Sequence, residues 1–276
     1  MRLLFPFAKR FIAGINTNDS SLVFKNHLDQ NFKVIANLVG ENIQSAEKIE
    51  TICETYGELL DRFSDPDFSI SLKLSSIGLD HEYKITMENL TKLVRSASIN
   101  KQMIRLDMED SRYTDQTIEV CKSIQNDYPG SIGITLQANL YRTERDLEEL
   151  KSNGISIRLV KGAYFEDDQI AITDMNQIRD KFLDYAKLLI VDKNVKHSIA
   201  THDEPILDSI FSNTEMRNHR FEFLYGVRRD LQRRFCNSNE VGLYMPFGEE
   251  WVSYTFRRLK EFKNIRFVAR NLIKEK

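Results

Sequence analysis

The segment Arg158-Leu159-Val160-Lys161-Gly162-Ala163-Tyr164 sets two cations beside a Gly-Ala pair, which lets a ligand approach the backbone closely. Such an arrangement suits an anionic or electron-accepting group. An ordinary strand end whose Arg and Lys pair with acidic loops has the same spacing. A second segment runs from Trp251 to Glu261. On a helix its Tyr254, Arg257, Arg258 and Glu261 fall at i, i+3, i+4 and i+7, so one face carries an aromatic ring, two guanidiniums and a carboxylate. Paired guanidiniums clamp a carboxylate in bidentate fashion, and a solvated helix face with an Arg-Glu pair reads alike.

Lys73 in Ser71-Leu72-Lys73-Leu74-Ser75 and Asp107 in Leu106-Asp107-Met108-Glu109-Asp110 put opposite charges on what read as adjacent strands. Desolvating both charges costs about what their attraction returns, so a buried Lys73–Asp107 pair leans toward function rather than stability. Thr201-His202-Asp203 offers a hydroxyl, an imidazole and a carboxylate, or else caps the helix that Glu204-Pro205 begins.

The elements that must hold these residues alternate. Short β-branched or apolar runs are expected as strands over 33–39, 69–75, 103–107, 133–137, 155–161, 197–201, 220–224 and 241–245, a pattern of βα units around a parallel sheet. Amphipathic stretches between them predict helices over 46–63, 114–124, 145–150, 173–190, 206–211, 228–235 and 249–262. About eight such pairs in roughly 250 residues match one closed (β/α)8 TIM-like barrel. With no linker or repeat, residues 1–276 read as a single domain opened by an amino-terminal helical segment over 1–30. In that fold chemistry sits at the carboxyl ends of the strands. There the chain has Lys73, Asp107, Gln137, Arg158 with Lys161, Thr201 with His202, and Tyr244.

Composition narrows the class. The chain has 276 residues, 41% hydrophobic and 29% charged, with 39 Lys and Arg against 41 Asp and Glu. That balance speaks against nucleic acid as a partner, because phosphate contacts need a basic surplus. Neither an apolar run long enough for a bilayer nor a signal peptide is evident, so a soluble cytoplasmic protein is expected. The 3 cysteines form no CxxC and the 5 histidines no HExxH, so no metal centre is expected. The glycines contain neither GxGxxG nor GK, so any dinucleotide must be held without the usual glycine-rich turn.

Taken in order, Arg158 to Tyr164, Ala200-Thr201-His202-Asp203, Leu224-Tyr225-Gly226-Val227-Arg228-Arg229-Asp230-Leu231, Tyr244-Met245-Pro246-Phe247-Gly248 and Tyr254-x-x-Arg257-Arg258-Leu259 resemble the flavin-dependent proline dehydrogenase family, especially its short monofunctional bacterial members. The resemblance runs from Arg10 to the end of the chain and takes in the segments around Lys73, Asp107 and Gln137. It implies a distorted (β/α)8 barrel that holds FAD noncovalently and oxidises L-proline to 1-pyrroline-5-carboxylate. Electrons pass in this family commonly to a membrane quinone.

By the same resemblance Arg158 lies near the reactive flavin nitrogen, with Lys161, Gly162, Ala163, Met108, Gln137, Thr201 and His202 along the cofactor. Lys73, Arg257 and Arg258 match the substrate carboxylate clamp, Asp107 the acidic active-site position, and Leu224, Tyr244, Tyr254 and Tyr164 the walls around the proline ring. A tyrosine at 244 goes with proline rather than hydroxyproline, whose hydroxyl would need the space the ring fills. Related flavin barrels acting on other cyclic amines, and a flavin-bound protein without turnover, are the alternatives.

Two departures stand out. Where the family usually has Glu-Phe-Gln-Met-Leu, this chain has Arg220-Phe221-Glu222-Phe223-Leu224, and Asn139 replaces a common aromatic. The length leaves no room for the aldehyde dehydrogenase domain of bifunctional relatives, so the product is expected to pass to a separate enzyme. Phe5, Phe7 and Phe11 with Lys9 and Arg10 either touch a membrane surface or dock on the barrel, the second being favoured.

Overall fold

A computed structural model describes residues 10–212, 218–252 and 254. The predicted strands form as β1 (Lys33–Leu38), β2 (Phe68–Leu72), β3 (Ile104–Leu106), β4 (Ile132–Gln137), β5 (Ser156–Val160), β6 (His197–Ala200), β7 (His219–Leu224) and β8 (Glu240–Phe247). Each pairs in parallel with the next, and β8 returns to β1, closing the barrel. Among the strands, the largest difference from expectation is at β2. It stops at Leu72 because Leu74–Ser76 turn into a 3-10 helix, so Lys73 begins a turn instead of extending the strand.

The outer layer is α1 (Thr17–Leu28), α2 (Ala46–Arg62), α3 (Tyr83–Ile99), α4 (Thr114–Asp127), α5 (Thr143–Ser152), α6 (Met175–Ile190), α7 (Glu204–Phe211) and α8 (Arg229–Cys236). Local chemistry starts these helices. Ser45 caps α2 by accepting from the Lys48 N–H, and Asp174 caps α6 by accepting from Asn176 and Gln177. Ile49, Tyr56, Leu59 and Leu60 then line the buried face of α2. The Tyr56 hydroxyl accepts from the Leu38 N–H at 3.0 Å, tying α2 to β1.

Among the described residues, the helix expected over 1–30 covers Thr17–Leu28. It begins at Thr17, because Asn16 in extended conformation accepts from the Asp19 N–H and so starts the helix there. Residues 10–16 run as a strap whose Ala13 N–H donates to the Pro246 carbonyl at 2.7 Å. Phe11 and Ile12 are buried with Val39, Val227 and Tyr254. Phe11 therefore docks on the barrel, as favoured above; residues 1–9 lie outside the described residues. Gly226 is required by this strap, since a Cβ there would meet the Arg10 carbonyl oxygen at 1.7 Å. Helix α1 lies against both β1 and β8, covering the seam where the barrel closes.

Alternation along the strands sends Ile157 and Leu159 toward the helices, and Ser156 and Arg158 inward. The barrel interior is polar in consequence. A cavity of about 120 Å³ is lined by Arg105, Ser156, Arg158, Ser198, Arg220 and Glu222 among others, where apolar layers usually fill a barrel.

The fold also carries a pH sensitivity. His197 is fully buried; its Nδ1 accepts the Ile157 N–H at 3.1 Å, so its Nε2 must carry the proton toward Asp192. Burial holds its pKa below the ordinary 6.5. The unfolded chain therefore takes up this proton first, so the stability is complete above pH 6.5 and declines below it, by about 1.4 kcal/mol per pH unit until the folded histidine titrates. His219 and His27, also lowered by burial, add to the decline. Thermal unfolding measured against pH should show a falling midpoint below 6.5, with a shallower fall in His197→Asn; identical slopes would contradict the assignment.

Candidate active site

The centre of the carboxyl mouth is a buried array around Arg158, which is 3% exposed. Its Nε donates to Glu222 Oε2 at 2.5 Å, and its Nη1 donates to Asp107 Oδ1 at 2.7 Å and to Ser71 Oγ at 2.8 Å. Asp107 accepts further from the Tyr244 hydroxyl at 2.6 Å and from Ser71 at 2.7 Å. The guanidinium carbon sits 5.3 Å from the centre of the Tyr244 ring. Residues from β2, β5, β7 and β8 and from the turn after β3 thus meet on one cation.

Charge decides the protonation states. Burial would raise the Glu222 carboxyl, but Arg158, Arg105 and Arg220 outweigh it and hold it at about 2. Burial and the Asp107 carboxylate push the Tyr244 hydroxyl well above its usual range, so it stays a donor. Arg158 is raised, because Glu222 and Asp107 overcome the burial that would lower it.

Lys73 forms a second group. It pairs with Glu41, from the loop after β1, instead of with Asp107 as its strand position suggested. The reason is geometric: Arg158, Ser71 and Tyr244 already occupy Asp107, while the turn at Lys73 delivers the ammonium to Glu41. Burial alone would lower Lys73, yet Tyr164 and Glu41 beside it raise it. Burial also raises Tyr164. Glu109 accepts from Ser75 Oγ at 2.5 Å, its own carbonyl accepts from Gln137 Nε2, and Gln137 Oε1 accepts from the Ala163 N–H. Met108 is buried beside them.

The third group lies after β5 and β6. Lys161 donates to Asp203 at 2.5 Å, and Arg179 binds both oxygens of the same carboxylate. Asp203 stands at the start of α7 but gives no side-chain cap, which corrects the capping alternative. Lys161 and Arg179 hold its pKa low against the effect of burial. Thr201 Oγ1 accepts from the Asp203 N–H, and His202 Nε2 accepts from the Leu224 N–H at 3.2 Å. Gly162 has φ of 114°, and a Cβ there would sit 2.1 Å from Asn139 Oδ1, so this residue must be glycine.

Leu224 and Tyr254 belong to the apolar cluster that holds Phe11, and Leu224 faces Tyr244 across the β7–β8 pairing. Of the residues expected at the site, Arg257 and Arg258 lie outside the described residues. The strand-end reading missed Glu41, Ser71 and Glu109. Glu41 follows β1 as Lys73 follows β2, so the same rule would have found it. Ser71 is signalled only by strand alternation, as an inward polar residue, whereas Glu222 stands out also as a departure from the family pattern.

Comparison with known proteins gives one answer. The profile of the family described as "Proline dehydrogenase" matches residues 24–270. "Proline dehydrogenase 2" of Bacillus subtilis (strain 168) is 30% identical over 97% of this chain and 91% of its own length. "Proline dehydrogenase" of Deinococcus radiodurans is 27% identical, over 98% of this chain and 91% of its own. The solved structure of proline utilization A (PutA) from Bdellovibrio bacteriovorus inactivated by N-propargylglycine superposes with a TM-score of 0.86 over 95% of this chain at 20% identity. That likeness is one of fold, and the chain spans 33% of that longer protein.

Proposed function

The chain belongs to the proline dehydrogenase family, and from that premise we propose that it uses FAD to oxidise L-proline to 1-pyrroline-5-carboxylate at the carboxyl mouth of its barrel. The observation that carries this reading is the buried array in which Asp107 and Glu222 aim one guanidinium, Arg158, across the face of Tyr244.

The residues present fit a flavin. Arg158 Nη2 and Asn139 Oδ1 are buried polar atoms without a hydrogen-bond partner among the described residues, a donor left over on β5 and an acceptor just after β4. Gly162 and Ala163 offer backbone without bulk, and Lys161 supplies positive charge for an anionic tail. Met108, Gln137, Arg158, Lys161, Gly162, Ala163, Thr201 and His202 would hold the cofactor. Bound there, it supplies the acceptor for the two electrons and the hydrogen that leave proline.

The chain's own residues do the rest. Lys73 with Arg257 and Arg258 would hold the substrate carboxylate, and Leu224, Tyr164, Tyr244 and Tyr254 would enclose the ring. Proline binds with a neutral amine: as the C5–H bond breaks and its electron pair leaves with the hydrogen, the nitrogen lone pair closes the C5=N bond, and the product keeps its N–H proton. Arg158 would stabilise the negative charge that develops on the acceptor side. Asp107 already accepts from Arg158, Ser71 and Tyr244, so its part is to orient them, and no proton transfer is required of it.

We read residues 1–276 as one barrel domain of a cytoplasmic enzyme that hands its electrons to a quinone at a membrane surface. No helix among the described residues is long and apolar enough to cross a membrane. The test is proline-dependent dye reduction by protein reconstituted with FAD, run beside hydroxyproline. Proline is expected to be the faster substrate; FAD-loaded protein that reduces no dye with proline would contradict the reading.

A further inference from the structure

Alternation along β7 turns Glu222 into the barrel, one step below the layer in which Leu224 faces Tyr244. It is 3% exposed and bonds the Nε of Arg158, while Asp107 binds the Nη1 of the same guanidinium. One cation is thus shared between two carboxyl groups. The other carboxyl group nearby on β8, Glu240, instead pairs with Arg220 and Lys196.

Resting on the functional reading above, we propose that Glu222 is a positioning residue that sets the reduction potential of the bound flavin through Arg158. It touches neither proline nor, in that reading, the flavin. Its negative charge lies on the side of the guanidinium away from the mouth and offsets the positive potential that Arg158 presents there. Less positive potential at the mouth means weaker stabilisation of the electron pair arriving from C5–H, hence a lower midpoint. A Gln at this position, which the resemblance gives as usual, keeps the acceptor for Nε and removes the charge. The Glu therefore makes the reduced cofactor a stronger donor to its acceptor and makes the first half-reaction with proline less favourable. Because Arg158, Arg105 and Arg220 keep this carboxyl ionised down to about pH 2, its charge is present at every working pH.

The test is the midpoint potential of the FAD-loaded protein, titrated without proline, for wild type, Glu222→Gln, Glu222→Met and Glu240→Gln, with melting temperatures to verify folding. Glu222→Gln should raise the potential by roughly 30 mV or more, which is a tenfold change in the equilibrium of a two-electron couple. Glu222→Met, of similar volume and without an acceptor, should raise it too. Glu240→Gln removes the same charge without touching Arg158 and should shift it much less. An unchanged potential in folded, FAD-loaded Glu222 variants, or an equal shift in Glu240→Gln, overturns the role of Glu222 and leaves the enzyme assignment standing. A protein that takes up no flavin overturns both.

Discussion

Arg158→Met is expected to lower kcat/KM for proline by about a thousandfold and to destabilise the protein by about 3–5 kcal/mol. Both effects come from one guanidinium. Removing it leaves Glu222 without the donor at 2.5 Å and Asp107 without the donor at 2.7 Å, and both carboxyl groups are buried. A buried charge stripped of its partner costs far more than the intact pair returns. For a chain of this size the melting temperature should fall by about 10 °C. The loss of activity should exceed any loss of folded protein at the assay temperature, because the cation also faces the developing charge. Thermal unfolding and steady-state kinetics check the two parts separately; a stable variant with near wild-type kcat/KM would contradict the site.

Asp107→Ala should cost about a hundredfold in kcat/KM, the scale on which a misplacement of about 1 Å acts. Arg158 then keeps Glu222 as its one carboxylate partner, with the Ser71 hydroxyl beside it, and the Tyr244 hydroxyl loses its acceptor at 2.6 Å. A freed Tyr244 ring should also discriminate less against hydroxyproline. The pH profile separates this orienting role from general-base catalysis. If Asp107 only orients, log kcat/KM against pH should keep its shape, since the ionisation that matters is that of the proline amine. Disappearance of an acidic limb in the variant would show that Asp107 takes the proton.

These effects could be anticipated from sequence only in part. Runs such as Gly133 to Gln137, buried along their whole length, read as strands because a parallel barrel covers both faces of its sheet. Strand ends then pointed to Asp107, Gln137, Arg158 and Tyr244. Helix α3 is hard to read from sequence although Leu90, Leu93, Val94 and Ala97 recur at helical spacing, since Thr86, Thr91, Ser96 and Ser98 dilute that stripe. The partner of Lys73 was not legible. Glu41 comes from a loop 32 residues earlier, and only the turn after β2 directs the ammonium toward it. Arg220 and Glu222 stood out as departures, but their separation was visible only in three dimensions: Arg220 pairs with Glu240, whereas Glu222 reaches Arg158. Asp203 likewise looked like a cap until Lys161 and Arg179 converged on it.

The most direct test of the central claim is an anaerobic titration of the FAD-loaded protein with L-proline, followed by visible absorption. The account predicts that the oxidised flavin band bleaches fully with proline and that Arg158→Met, loaded with the same cofactor, bleaches far more slowly. A loaded wild-type protein whose spectrum proline leaves unchanged would contradict it.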